Sequence, residues 1–104
     1  MIARLWQGWT APAHADAYEA LLRTRILPGI HRVAGFEGAY VLRKEADHGE
    51  VEFVVLTFFA SLDAVCAFAG RDYELAVIAP EAHKLLTQFD ARTAHYEVKA
   101  APDD

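Results

Sequence analysis

The segment from Val51 to Phe59 reads Val-Glu-Phe-Val-Val-Leu-Thr-Phe-Phe, a run of β-branched and aromatic residues that favours a strand. Side chains alternate across a strand, so this composition puts apolar groups on both of its faces. A sheet built around it must be covered twice. Helices of the same chain can cover one face, and a second copy of the chain can cover the other. The expectation is a homodimer whose subunits are incomplete alone. Composition agrees, because 54% hydrophobic residues is a high share for a chain of 104 residues with so much surface per unit volume.

The flanking segments supply the partners. Ile2 to Trp9 reads as a strand, ended by Thr10-Ala11-Pro12, and Pro12 suits a first helical turn. Tyr18, Leu21, Leu22 and Ile26 then recur at helical spacing, opposite Asp16, Glu19 and Arg23, until Pro28-Gly29 kinks or ends the helix. Gly35 to Glu45 is a second strand, joined to the Val51–Phe59 strand through the turn residues Ala46-Asp47-His48-Gly49. Ser61 is placed to cap a second helix with Leu62, Val65, Cys66 and Ala69 as its inward stripe. Residues 70–79 read as a loop or a short helix. From Pro80 the spacing of Ala82, Leu85, Leu86 and Phe89 predicts a further helix, and Thr93 to Lys99 a last edge strand. The order β-α-β-β-α-β is that of a ferredoxin-like α+β domain with a four-stranded antiparallel sheet, over residues 1–99, followed by a polar tail over 100–104.

Charge and composition exclude several function classes. The formal net charge is −5 with no Lys/Arg-rich run, which argues against nucleic acid and against an anionic membrane surface. Cys66 is the only cysteine, so no intramolecular disulfide forms and the cytoplasm is the expected compartment. Met1 to Trp6 shows no signal-peptide pattern, and the apolar runs are too short to span a bilayer.

Little in the residue types specifies a reaction. No two of His14, His31, His48, His83 and His95 have helical metal-ligand spacing and no cysteine joins them, so no metal is expected. Cys66 reads as a structural thiol on an apolar stripe, and Ser61, the only serine, as a cap outside any nucleophile elbow. No glycine-rich phosphate loop is present. His83 lies at the margin of the buried helix face and is a candidate acid, base or donor, although a half-exposed helix histidine is commoner. His95 is expected to face solvent or an intersubunit groove. Arg4 and Arg43 can hold an anionic substrate, but solvated strand-edge arginines are commoner.

Ile2-Ala3-Arg4-Leu5-Trp6, Glu52 through Phe59, Ser61-Leu62-Asp63-Ala64-Val65, Tyr73 and Ala94-His95-Tyr96-Glu97-Val98 together resemble the antibiotic biosynthesis monooxygenase-like family. The resemblance runs over nearly the whole chain. It implies a dimeric α+β barrel with a pocket between each sheet and its helices. It also implies oxidation of quinol- or anthrone-like aromatics by O2 with no cofactor, or, in one branch, haem degradation. That branch uses an Asn on the first strand, a Trp on the second helix and a following His. This chain contains no asparagine, and Phe68 and Ile78 stand at the other two positions. The anthrone-oxidising branch also uses a pocket Asn, which has no match here.

On the resemblance, Leu5, Gln7 and Trp9 face the pocket, and Trp6 anchors the dimer interface. Gln7, Trp9, Phe58, Tyr73 and His83 are then the candidate substrate-binding residues, with His83 and Tyr73 as candidate catalytic groups. The implied function is a cofactor-independent monooxygenase for a small aromatic or quinol-type substrate. The alternative is a non-catalytic dimeric module that binds a small apolar ligand or serves in a stress response. An isomerase or decarboxylase on the same barrel would need a convergent acid–base pair, which the sequence does not locate.

Overall fold

The computed structural model describes residues 1–102, so of the polar tail Asp103 and Asp104 lie outside the described residues. The elements are β1 (Ile2–Thr10), α1 (Pro12–Leu21), a π turn (Leu22–Ile26), α2 (Leu27–Ile30), β2 (Phe36–Glu45), β3 (Val51–Phe59), α3 (Leu62–Ala69), α4 (Pro80–His83), β4 (Leu86–Phe89) and β5 (Ala94–Glu97). The sheet is antiparallel in the order β2-β3-β1, with β4 and β5 both on the free edge of β1. This is the expected α+β ferredoxin-like architecture, and its fourth sheet position is shared by two short strands. β4 pairs with Gly8 to Thr10, and β5 with Ile2 to Leu5.

Two expectations about local structure need correction. The helix starting at Pro80 ends at His83, and Leu86 to Phe89 is strand β4. A register shift between Trp9 and Thr10 leaves both Leu86 and Phe89 packed on the core, so a bulged strand mimics the helical spacing. In α3 the buried residues are Ala64 and Val65, while Leu62 is 42% exposed and Cys66 only half-buried. The cap is as expected: Ser61 Oγ accepts from Ala64 N at 3.2 Å. Of the two outcomes expected at Pro28-Gly29, a kink or an end, the chain takes the first: the helix runs on to Ile30 through a π turn that precedes the ring with no N–H to give.

Alternation along β1 and β3 sorts the side chains. On the helix side lie Arg4, Trp6, Gly8 and Thr10 with Val51, Phe53, Thr57 and Phe59, all buried. They enter two apolar clusters. Trp6, Tyr18, Leu22 and Phe53 form one beneath α1, and Ile30, Phe59, Ala64 and Val65 form the other beneath α2 and α3. Trp6 is therefore a helix-side residue and Trp9 faces the other way, the reverse of the expected assignment. The β1–β3 register is unbroken from Ile2 to Thr10, so no bulge exchanges them.

Gly8 fits this arrangement for a steric reason. A Cβ at Gly8 would fall 2.4 Å from Cη2 of Trp6, whose indole lies over the glycine. Gly8→Ala is expected to destabilise the fold by about 1–3 kcal/mol, read as a lower urea midpoint at unchanged slope.

Among the described residues, no helix lies over the opposite face of the sheet. There Leu56 has Leu5 on one side and Tyr40 on the other, and Phe58 meets the Tyr40 ring edge-on at 6.1 Å. Tyr40, Leu42 and Tyr96 are 64%, 49% and 57% exposed. Among the described residues, no helix is long and apolar enough to cross a membrane.

Candidate active site

A cleft of about 70 Å³ opens between the two apolar clusters. Val55 and Thr57 of β3 and Trp6 of β1 form its floor, Tyr18, Leu22, Ile26 and Ile30 one wall, and Phe68 the other. Val77, Ile78 and Ala79, at the end of an irregular strap over residues 70–79, reach its rim. The lining is mainly aliphatic and aromatic, as a pocket for a small apolar molecule should be.

Two groups with ionisable chemistry enter this lining. Arg4 is 4% exposed. Its Nη1 donates to Tyr73 O and its Nη2 to Leu75 O at 3.2 Å, so the guanidinium ties the strap to the sheet. Its carbon lies 5.4 Å from the Phe68 ring centroid, a cation–π contact. Among the described residues no carboxylate forms a salt bridge with it, and burial alone lowers its pKa from the ordinary value. Tyr18 is 2% exposed, and burial raises its pKa far above the ordinary phenol value. The phenol therefore stays protonated at any pH of interest, as a neutral donor.

His95 stands behind Arg4. The β1–β5 register puts it opposite Arg4, on the helix side of the sheet, where it is half-buried beside the guanidinium. Nε2 lies 3.1 Å from Arg4 Nη1, and because the guanidinium is always protonated the imidazole accepts there. The proton then sits on Nδ1, which is buried with no partner among the described residues. Desolvation chiefly, and the charge of Arg4, lower the pKa of His95, while Glu74 raises it in part. The Tyr73 ring meets the imidazole edge-on at 5.0 Å.

The strap is anchored along its length. Thr93 N and Oγ1 both donate to Glu74 O, at 2.6 and 3.1 Å, and Ala76 N donates to Ala91 O at 2.8 Å. Arg92 pairs with Asp72 at 2.7 Å and with Glu74 at 3.6 Å.

The five residues expected to bind substrate do not share this cleft. Gln7, Trp9 and Phe58 lie on the opposite face of the sheet, where Gln7 Nε2 donates to Glu52 at 3.3 Å. His83 is exposed on α4 with its ring against Phe89 at 5.3 Å. Tyr73 is in the strap and reaches Arg4 through its carbonyl. The structure brings together instead Arg4, Trp6, Tyr18 and Phe68. Tyr18 and Trp6 were visible in the sequence as apolar-stripe or interface residues, but nothing local marked them as pocket-forming.

Phe68 and Ile78, which stand at the Trp and His positions of the haem-degrading branch, both line the cleft. Neither carries a metal-ligating atom. Among the described residues no group of three or more His, Cys, Asp or Glu is placed to hold a metal ion. These residues do not fit haem ligation.

Comparison with known proteins gives a consistent picture. Three solved structures share the fold. A mutant of SnoaB, a cofactor-independent oxygenase from Streptomyces nogalater, is 18% identical over 99% of this chain and 97% of its own, with a TM-score of 0.66. Rv0793 from Mycobacterium tuberculosis is 20% identical over 97% of each chain, with a TM-score of 0.65. The ActVA-Orf6 monooxygenase of Streptomyces coelicolor, solved with nanaomycin D, is 15% identical over 96% of this chain and 88% of its own, at 0.64. No curated protein matches. The sequence profile of the antibiotic biosynthesis monooxygenase family matches residues 1–80, which contain every cleft-lining residue except Ala82 and Thr93, and the chain belongs to that family.

Proposed function

We propose that the protein is a cofactor-independent monooxygenase that oxidises a small electron-rich aromatic, of quinol or anthrone type, in the cleft between sheet and helices. The observation that carries this reading is an apolar, aromatic-walled cleft with one buried guanidinium in its lining. Direct oxidation by O2 requires that the substrate lose a proton, because the anion is the species that passes an electron to O2. Radical recombination then forms a C–O bond. One oxygen atom stays in the product as a carbonyl and the other leaves as water, with the two substrate hydrogens. Apolar walls keep the anion dry, and Arg4 favours negative charge where it develops. Neutral Tyr18, also in the lining, supplies an O–H donor to a bound substrate. Among the described residues no carboxylate lines the cleft, so substrate acidity is raised by the cation and the proton passes to solvent.

The cleft volume of about 70 Å³ is under half the roughly 150 Å³ known to admit one benzene. A ring therefore enters as the strap, with its exposed Val77, moves outward. The working unit in this reading is a homodimer joined through the uncovered sheet face, supported by the exposed Tyr40, Leu42 and Tyr96. Oxygen uptake with a panel of anthrones and hydroquinones tests the activity. Uptake well above a heat-denatured control is expected for at least one of them, and none across a broad panel would remove the reading.

A further inference from the structure

We infer that the cleft selects its ligand by charge: it prefers an aromatic molecule bearing an anionic oxygen, which is set against Arg4. This rests on the reading of the cleft as the substrate site and adds the class of molecule it accepts. A buried cation without a counter-ion is a costly arrangement, since each desolvated charge loses several kcal/mol of hydration unless it is paired. Arg4 is such a cation, at 4% exposure with no carboxylate bridged to it among the described residues. Two strap carbonyls and a neutral imidazole solvate it in part. They supply dipoles, not charge. Guanidinium carries five N–H donors, and those three partners do not exhaust them.

The surroundings are also arranged to exclude the obvious competitors. Glu74, the strap carboxylate that acts on His95, is half-exposed and paired with Arg92 at 3.6 Å, and its own carbonyl is held by Thr93. Asp72 is likewise committed to Arg92 at 2.7 Å. The nearby acids are thus occupied elsewhere, and the one cation lining the cleft among the described residues is left to a ligand. A neutral aromatic would fill the apolar walls and leave that charge unmet. An aryl carboxylate or an ionised phenol would satisfy both, by a charge-assisted hydrogen bond in a dry site. A strap tie alone would not require a guanidinium facing the cleft.

The test is an NMR titration of the full chain with matched one-ring probes. Benzoate and benzamide have the same shape and differ in charge, and 4-nitrophenol followed above and below its ionisation separates phenolate from carboxylate recognition. Benzoate is expected to bind at least about tenfold tighter than benzamide. Arg4→Gln should reduce that ratio to within about twofold, while Arg4→Lys should keep a preference for the anion. If Arg4→Gln does not fold, the wild-type ratio and the lysine variant still decide. No preference for benzoate over benzamide together with none for 4-nitrophenolate over 4-nitrophenol, no binding of any probe, or a preference that survives Arg4→Gln would each overturn the inference. A preference for 4-nitrophenolate without one for benzoate would assign the site to phenolates, and the converse to carboxylates. Benzoate is not oxidised by this chemistry, so the outcome is separable from oxygen uptake. Anion preference without uptake would keep the site and remove the oxygenase. Uptake without anion preference would do the reverse.

Discussion

Replacing Trp6 with alanine is expected to destabilise the fold by about 3–5 kcal/mol, against a total of roughly 5–15 for a domain of this kind. Trp6 is 8% exposed and belongs to the cluster beneath α1. Its indole covers Gly8, lies 6.5 Å from the Phe89 ring and closes one end of the cleft floor. Its Nε1 also donates to Asp90 O at 2.9 Å. Asp90 N in turn donates to Gln7 O at 2.9 Å, so β1 grips this residue twice where the fourth sheet position breaks between β4 and β5. Alanine would leave a cavity, bare the backbone at Gly8 and strand the Asp90 carbonyl. Trp6→Phe keeps most of the ring and loses the N–H, so it should cost about 1–2 kcal/mol and separate the two contributions. Thermal melts would show the alanine variant lower by on the order of 20 °C. A loss under about 1 kcal/mol would mean that the indole does not hold β1 to the cluster beneath α1.

The sheet and its two main helices were legible in the sequence because their signals are local. β-branched runs bounded by turn residues marked β2 and β3, and Ser61 before an apolar stripe marked α3. What was not legible depends on contacts far apart in the chain. Leu86 and Phe89 satisfy helical spacing as well as a bulged strand, and only the free edge of β1 decides between them. Trp6 and Trp9 flank an alternation that is apolar on both sides, so no pattern fixes its phase. Arg4 has the neighbours of a solvated strand-edge arginine. It is buried because residues 73 to 75, some seventy positions later, fold their carbonyls over it. His95 follows Arg4 for the same reason, through the β1–β5 register. Gln7, Trp9 and Phe58 thus lie on the sheet face opposite the cleft, while Phe68 and Ile78, which the resemblance marked only as departures from the haem-degrading pattern, line it.

The uncovered face yields the second large effect. Leu56→Asp is expected to convert a dimer to a monomer while leaving the fold of each subunit intact. Leu56 sits mid-strand on β3, flanked by Leu5 and Tyr40 on the face that no helix covers. In a lone subunit an aspartate there reaches water, so secondary structure by circular dichroism should be unchanged. In a two-fold dimer the same patch meets itself, so each substitution buries two charges. At several kcal/mol per desolvated ion, association should weaken by roughly 10⁴-fold or more. Light scattering at micromolar concentration would then report half the wild-type mass, with Arg23→Glu, on the exposed side of the first helix, as an unchanged control. A wild-type chain that is already monomeric, or a variant that stays dimeric, would place the interface elsewhere. The same variant also bears on the cleft. Leu56 lies between Val55 and Thr57, whose side chains form the cleft floor on the reverse of the strand. If assembly stiffens that floor, the monomer should lose affinity for benzoate although no cleft residue has changed. If affinity is retained, each subunit builds its site alone.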